Sequence, residues 1–485
     1  MAERPLLFSS VVELGRVLRA GKASSVELTE RSLAALDTRG RELNAVAELT
    51  RELAMREAEQ ADRELASGHD RGPLHGIPYG AKDLLATRGI PTRWGSPAHK
   101  DQVFDYDAAV IERLRAAGAV LVAKLAMIEL AGGGGYDSPA ASLHGPCLNP
   151  YNAGRWAGGS SSGSGAAVGG GLVGFAIGTE TWGSITVPAA FCNVSGLRPT
   201  YGRVSRYGAM ALSWTMDKIG AMARTAVDCA LVLRAMAGHD PRDPSSAKAE
   251  FTFDGEPSHR SLRLGLLPTD FAGAKAHDAE KRFSEALDVL GKLGHRTAEA
   301  KLPDFPYSLA AETIITAEGA SSFENLIGGP DLELLADETQ KAGLVAGLRV
   351  PAADYLRAMR VRTLAAEKAV LVFERFDALV APTLLKGAPP ADRPLSEGWT
   401  GMGGNGGPGN LLGWPSLTVP MGPDSEGMPL GIEFIASPYD EATILSFGIA
   451  FQRQTDWHTQ GPPLALTPPS PGSDPSPGGE VATKA

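Results

Sequence analysis

Two sets of serines and one lysine in this chain have the residue types that acyl transfer needs. Ser160, Ser161 and Ser162 form a trio within Gly158-Gly159-Ser160-Ser161-Ser162-Gly163-Ser164, and Ser184 stands alone in Thr181-Trp182-Gly183-Ser184. Lys82 ends the apolar segment Gly76-Ile77-Pro78-Tyr79-Gly80-Ala81-Lys82. A serine where a strand breaks into a glycine-containing turn exposes its Oγ. The same turn gathers consecutive backbone N–H groups, here those of Thr181, Trp182, Gly183 and Ser184, into a cradle for a tetrahedral oxyanion. A lysine taken out of water loses its preference for the ammonium form, and its amine becomes available as a general base.

Each residue also has a plainer reading. Ser184 could cap the segment after it, and the trio could be a helix N-cap with spare hydroxyls. Lys82 could be a surface lysine paired with Asp83. Ser161 formally satisfies the G-x-S-x-G nucleophile pattern, but 152–155 precedes it where a strand is required, and Gly/Ser-rich sequence produces the pattern by chance. The histidines form no motif. Gly132 to Gly135 lack the Gly-Lys-Ser/Thr of a phosphate loop, and Gly163-Ser164-Gly165 lacks the third glycine of a dinucleotide fingerprint.

These residues need a framework to hold them. Residues 158–200 are too rich in Val168, Leu172, Val173, Phe175, Ile177, Ile185 and Phe191 for a flexible linker. So much buried glycine implies backbone packed on backbone. The apolar periodicity predicts helices within 8–67 (one of them over 43–66), and over 107–118, 226–237, 278–293, much of 308–375 and 441–452. Buried strands are expected near 75–83, 119–123, 173–177, 262–267, 378–382, 417–419 and 431–435. The alternation predicts an α/β fold, a large mixed sheet covered on both faces by helices, as one unit over 1–465. Residues 386–410 read as a long surface loop, and 466–485 have the composition of a disordered tail.

Composition narrows the function classes. The net charge is −10 with both signs scattered, which speaks against binding nucleic acid or an acidic membrane. The three cysteines, Cys147, Cys192 and Cys229, have no metal-ligand spacing and fit a reducing compartment. With no apolar leader or spanning run, the expectation is a cytoplasmic protein without membrane partners, metal or cofactor.

Taken together, the motifs resemble the amidase signature family. Its GGSSGGS reads here as residues 158–164. Its GGSIR-x-PA-[AS]-FCG reads as Trp182-Gly183-Ser184-Ile185-Thr186-Val187-Pro188-Ala189-Ala190-Phe191-Cys192, and GLKPT as Gly196-Leu197-Arg198-Pro199-Thr200. GIP-x-x-x-KD matches 76–83, and N-x-x-G-x-P-A matches 410–416. The resemblance covers about 8–460. It implies a Ser–cis-Ser–Lys triad with Ser184 as nucleophile, Ser160 as the bridging serine after a cis peptide bond, and Lys82 as base. It also implies that 127–143 walls the substrate pocket, with Met127, Gly133, Gly134 and Tyr136 joined by Trp182.

Three departures stand out: Trp182 replaces a glycine, Glu180 an aspartate, and Thr186 an arginine. Any ion pair between the last two positions is expected to be lost. The missing arginine at Thr186 and the tryptophan at 182, with an intact triad in apolar surroundings, favour the expectation of a stand-alone hydrolase of small, fairly apolar amides, such as anilides or carbamates (urethanes), with a small molecule as its partner. The oligomeric state is left open, homodimers being common in the family. The alternatives are the A subunit of a glutamine-dependent tRNA amidotransferase and a non-catalytic binding protein on the same scaffold.

Overall fold

The computed structural model describes residues 6–257, 260–399, 401–402 and 406–463, so the expected tail at 466–485 lies outside it. Its strands are β1 (Val46–Leu49), β2 (Pro78–Lys82), β3 (Val120–Leu125), β4 (Leu148–Asn149), β5 (Asn152–Trp156), β6 (Phe175–Glu180), β7 (Ser195–Arg198), β8 (Lys218–Ala223), β9 (Arg263–Leu266), β10 (Arg296–Glu299), β11 (Ala378–Pro382), β12 (Ser416–Pro423) and β13 (Pro429–Ile435). Eleven of them form one sheet in the order β1-β3-β2-β6-β8-β7-β12-β13-β11-β9-β10, and β4 and β5 make a separate ribbon. The sheet is mixed. β2 runs parallel to β3 and β6, whereas β8 is antiparallel to β6 and β7. Helices cover both faces, as the α/β expectation required.

The central strands are buried along their whole length because both sheet faces are covered. Alternation along β2 decides where its lysine points. Tyr79 and Ala81 join one core cluster, so Pro78, Gly80 and Lys82 occupy the opposite face. The helix Ser162–Gly169 packs on that sheet region. It can do so because it is built of glycine, alanine, serine and one valine. A Cβ on Gly163 would lie 2.4 Å from the Ala45 carbonyl oxygen. The glycine density of 158–170 is thus backbone-on-backbone packing next to the sheet.

Several elements differ from expectation. The helix expected over 43–66 is split: Val46–Leu49 pairs with β3 as an edge strand, and the helix runs from Arg51 to Ala66. Long-range pairing overrides local periodicity there. The segment before the serine trio does contain a strand, β5, but it belongs to the small ribbon and not to the sheet. Residues 386–410 are more than a surface loop: Leu395 is buried, Trp399 meets Trp156 and Phe191 edge-on, and a helix begins at Gly406.

Candidate active site

Lys82, the last residue of β2, is fully buried and donates from Nζ to Ser160 Oγ at 2.8 Å and to Thr179 Oγ1 at 3.0 Å. Ser160 Oγ in turn donates to Ser184 Oγ at 2.9 Å. The three residues singled out from sequence therefore lie on one hydrogen-bonded line, and the Gly159–Ser160 peptide is cis. Burial lowers the Lys82 pKa to about 7, against the pull of Asp217 and Glu180. Asp83, the partner in the plainer reading of Lys82, faces Lys124 at 3.4 Å and accepts from the Arg93 N–H. The strand ends at Lys82 and Asp83 begins a turn, so the two side chains part company. Ser161 is occupied elsewhere: its Oγ donates to the Thr179 carbonyl and accepts from the Thr179 N–H.

The turn after β6 carries Ser184. Glu180, at the end of the strand, accepts from the Ile185 and Thr186 N–H groups and from Thr186 Oγ1, at 2.8, 3.0 and 3.2 Å. Its other oxygen accepts from Arg198 Nη1 at 2.7 Å. An ion pair between positions 180 and 186 is absent, as expected: Thr186 meets the carboxylate with its hydroxyl, and the cation beside Glu180 is Arg198 of β7. Burial opposes ionisation of Glu180, yet Arg198 and Lys218 outweigh it and hold its pKa at about 2. Among the described residues the N–H groups of Trp182, Gly183 and Ser184 donate to no protein acceptor. Gly183 sits at φ +83°, which keeps the turn open to a residue without Cβ.

A cavity of about 750 Å³ opens beside this turn. Its walls include Gly159, next to Ser160, and Trp182, with Gly132, Gly135, Tyr136, Trp156, Trp399 and Met402 around them. Asp137, Ser308 and Ser396 add polar side chains. Of the expected wall residues, Tyr136 and Trp182 line it. Met127, Gly133 and Gly134 do not. Met127 is buried in the core, and the two glycines press the loop onto Phe323 and Leu212 and onto Gln340 and Leu344. A second cavity, of about 190 Å³, reaches Thr179, Thr181 and Asp217.

Sequence reasoning missed Thr179, Asp217, Lys218, Trp156 and Trp399. For Lys218 the signal was available: a lysine leading into the apolar, glycine-containing run Ile219-Gly220-Ala221-Met222-Ala223, as at Lys82.

The family called Amidase matches residues 27–445. This chain belongs to the amidase family. It is 38% identical over 475 residues to the A subunit of the Glutamyl-tRNA(Gln) amidotransferase of Chloroflexus aggregans, covering 92% of this chain and 96% of that one. Among solved structures, the native peptide amidase of Stenotrophomonas maltophilia superposes with a TM-score of 0.81 at 33% identity, over 93% and 98% of the two chains. A structure described as a vestigial protein complex revealing the origins of an s-triazine catabolic enzyme superposes at 0.84 with 31% identity, over 92% and 98%.

These likenesses make the chain an amidase-type hydrolase acting on C–N bonds, and the non-catalytic reading falls. They also overturn the preference for a stand-alone hydrolase of small apolar amides with a small molecule as sole partner and no nucleic acid. Curated relatives at 35–38% identity, matched over more than nine-tenths of this chain, are amidotransferase A subunits. The preference leaned on Trp182 and Thr186. Thr186 and Arg198 satisfy the Glu180 carboxylate, so its buried charge is compensated without an arginine at position 186. No helix among the described residues is long and apolar enough to cross a membrane.

Proposed function

We propose that this amidase is the A subunit of a glutamine-dependent tRNA amidotransferase, releasing ammonia from a primary carboxamide through an acyl-enzyme on Ser184. The observation that carries this reading is the likeness to such subunits along nearly the whole of both chains. The geometry supports the chemistry. Neutral Lys82 takes the proton of Ser160, Ser160 takes that of Ser184, and Ser184 Oγ bonds to the carboxamide carbon. The carbonyl oxygen becomes an anion held by the free N–H groups of the 182–184 turn. Ser160 then returns a proton to the nitrogen, the C–N bond breaks, and ammonia leaves. Water, deprotonated along the same relay, attacks the ester, frees the acid and restores Ser184.

The cavity shapes the expectation for glutamine. Asp137 offers a carboxylate to its α-ammonium, but among the described residues its walls include no Lys or Arg to meet the α-carboxylate. That group would rest on hydroxyls and amide N–H groups, whose bonds are individually worth only about 1 kcal/mol. A KM for glutamine toward the millimolar end, on the order of 1 mM, is the expected result. The test is co-expression with the two partner subunits from the same source. Co-purification, with glutaminase activity that Ser184→Ala abolishes, is expected. Absence of both association and glutamine turnover would overturn the reading.

A further inference from the structure

Lys218 is buried on β8 directly opposite Glu180 of β6, and the relay does not use it. Its Nζ donates to the Thr181 carbonyl at 3.3 Å and to Asn410 Oδ1 at 3.0 Å. The preceding residue, Asp217, holds the same threonine by its other end: Thr181 Oγ1 donates to Asp217 Oδ1 at 2.6 Å. Asp217 is itself fixed, its second oxygen accepting from the Leu212 and Ser213 N–H groups. Thr181 is thus gripped at side chain and carbonyl by two successive residues at the start of β8.

In a trans peptide the C=O and the N–H point in opposite directions within one plane. Holding the Thr181 carbonyl at Lys218 therefore turns the Trp182 N–H away from Lys218. That N–H has no protein acceptor among the described residues. We propose that Lys218 is a positioning residue for the oxyanion cradle, locking the 181–182 peptide so that the Trp182 N–H faces the carbonyl oxygen of the acyl group under attack. Asn410 completes the device. It aims the Lys218 amine, and its own Nδ2 donates to the Gly406 carbonyl at the start of the helix Gly406–Leu411, which lines the cavity. The cradle is thereby tied to the substrate wall.

The proposal rests on Ser184 as nucleophile and on no particular substrate, and the two assumptions separate experimentally. A fluorophosphonate probe is attacked at phosphorus by Ser184 Oγ, fluoride leaves, the serine proton passes to the relay, and the phosphonyl oxygen occupies the cradle. Ser184→Ala must abolish labelling. Lys218→Met removes the donor while keeping the bulk of the chain. It should lower kcat for any amide that the wild-type protein turns over by about 10²-fold, with KM within about twofold, as loss of a transition-state donor does. The rate of phosphonylation should fall in parallel.

Asn410→Leu should slow kcat by about tenfold, and the double variant should be no slower than Lys218→Met alone, since both act through one peptide. Additive losses, or a rise in KM with kcat retained, would mean general loosening and overturn the proposal. So would phosphonylation of Lys218→Met within about twofold of wild type. If Lys218→Met does not fold, Asn410→Leu decides: a kcat change below about twofold overturns the proposal, and the tenfold loss at constant KM supports it.

Discussion

Glu180 and Arg198 form an ion pair of 2.7 Å with both side chains fully buried, and the same carboxylate closes the first turn of the helix that follows Ser184. Breaking such a pair from one side leaves a charge uncompensated and costs about 3–5 kcal/mol. Glu433, 3.8 Å from the same guanidinium, takes up part of that charge. Glu180→Gln should therefore fall near the lower end, measured by urea denaturation at pH 7. Because the folded pKa is depressed to about 2, the stabilisation from ionised Glu180 is present above the unfolded carboxylate range and is lost as pH falls toward 2. The wild-type and Glu180→Gln denaturation midpoints should converge over that acid window.

The pH dependence of turnover should report Lys82. With its pKa lowered to about 7 by burial, the amine is increasingly neutral above that pH and increasingly an ammonium below it. As a base it works only when neutral, so kcat/KM should rise through an ionisation near 7 and then level off. Lys82→Arg, charged at every accessible pH, should lose on the order of 10³-fold or more across the whole profile. A flat profile between pH 6 and 9 would remove Lys82 from the base role.

Much of this site could be read from sequence because its motifs are contiguous. Ser160, Ser184 and Lys82 each sit in a short segment whose composition conflicts with a bland fold: a serine among glycines, a lysine on an apolar strand. The residues behind them were harder. Thr179 touches Lys82 across 97 positions, and Lys218 touches Asn410 across 192, so no local pattern links them. Arg198 was visible as part of a motif, but its pairing with Glu180 depends on β7 lying one strand beyond β8 in the sheet. The wall residues Trp156 and Trp399 come from the ribbon and from a Pro/Gly-rich segment without periodicity. Val46–Leu49 was misread because a short strand inside an apolar helical run takes its identity from the partner strand.

Two adjacent glycines in the wall loop should respond differently to substitution. Gly134 has φ +85°, and a Cβ there would lie 2.5 Å from the Gln340 carbonyl and 2.7 Å from the Leu344 nitrogen, both backbone. Gly133 lacks the positive φ, and its nearest neighbours, at 2.9 and 3.0 Å, are the side-chain tips of Phe323 and Leu212. Gly134→Ala should destabilise by about 2–3 kcal/mol, from backbone strain together with overpacking. It should also raise KM by shifting Gly135 and Tyr136 in the wall. Gly133→Ala should cost about 1 kcal/mol and leave KM nearly unchanged. Thermal denaturation with steady-state kinetics on both variants checks the contrast.

Burying Lys82 should cost the fold stability that a methionine would restore. Between about pH 7 and the unfolded lysine range near 10.4 the unfolded chain carries a proton that the folded one does not. In that window the wild-type protein gains stability as pH rises, and at pH 7 the penalty is on the order of 3–5 kcal/mol. Lys82→Met removes the titrating group. It leaves the hydroxyls of Ser160 and Thr179 without their donor, a loss of about 1 kcal/mol each, which is smaller than the penalty relieved. The variant should therefore be inactive yet more stable than wild type at pH 7, and its advantage should shrink steadily toward pH 10. Denaturant titrations at pH 7, 8.5 and 10 measure the gap. A gap independent of pH would mean that Lys82 is already charged in the folded protein and cannot be the neutral base.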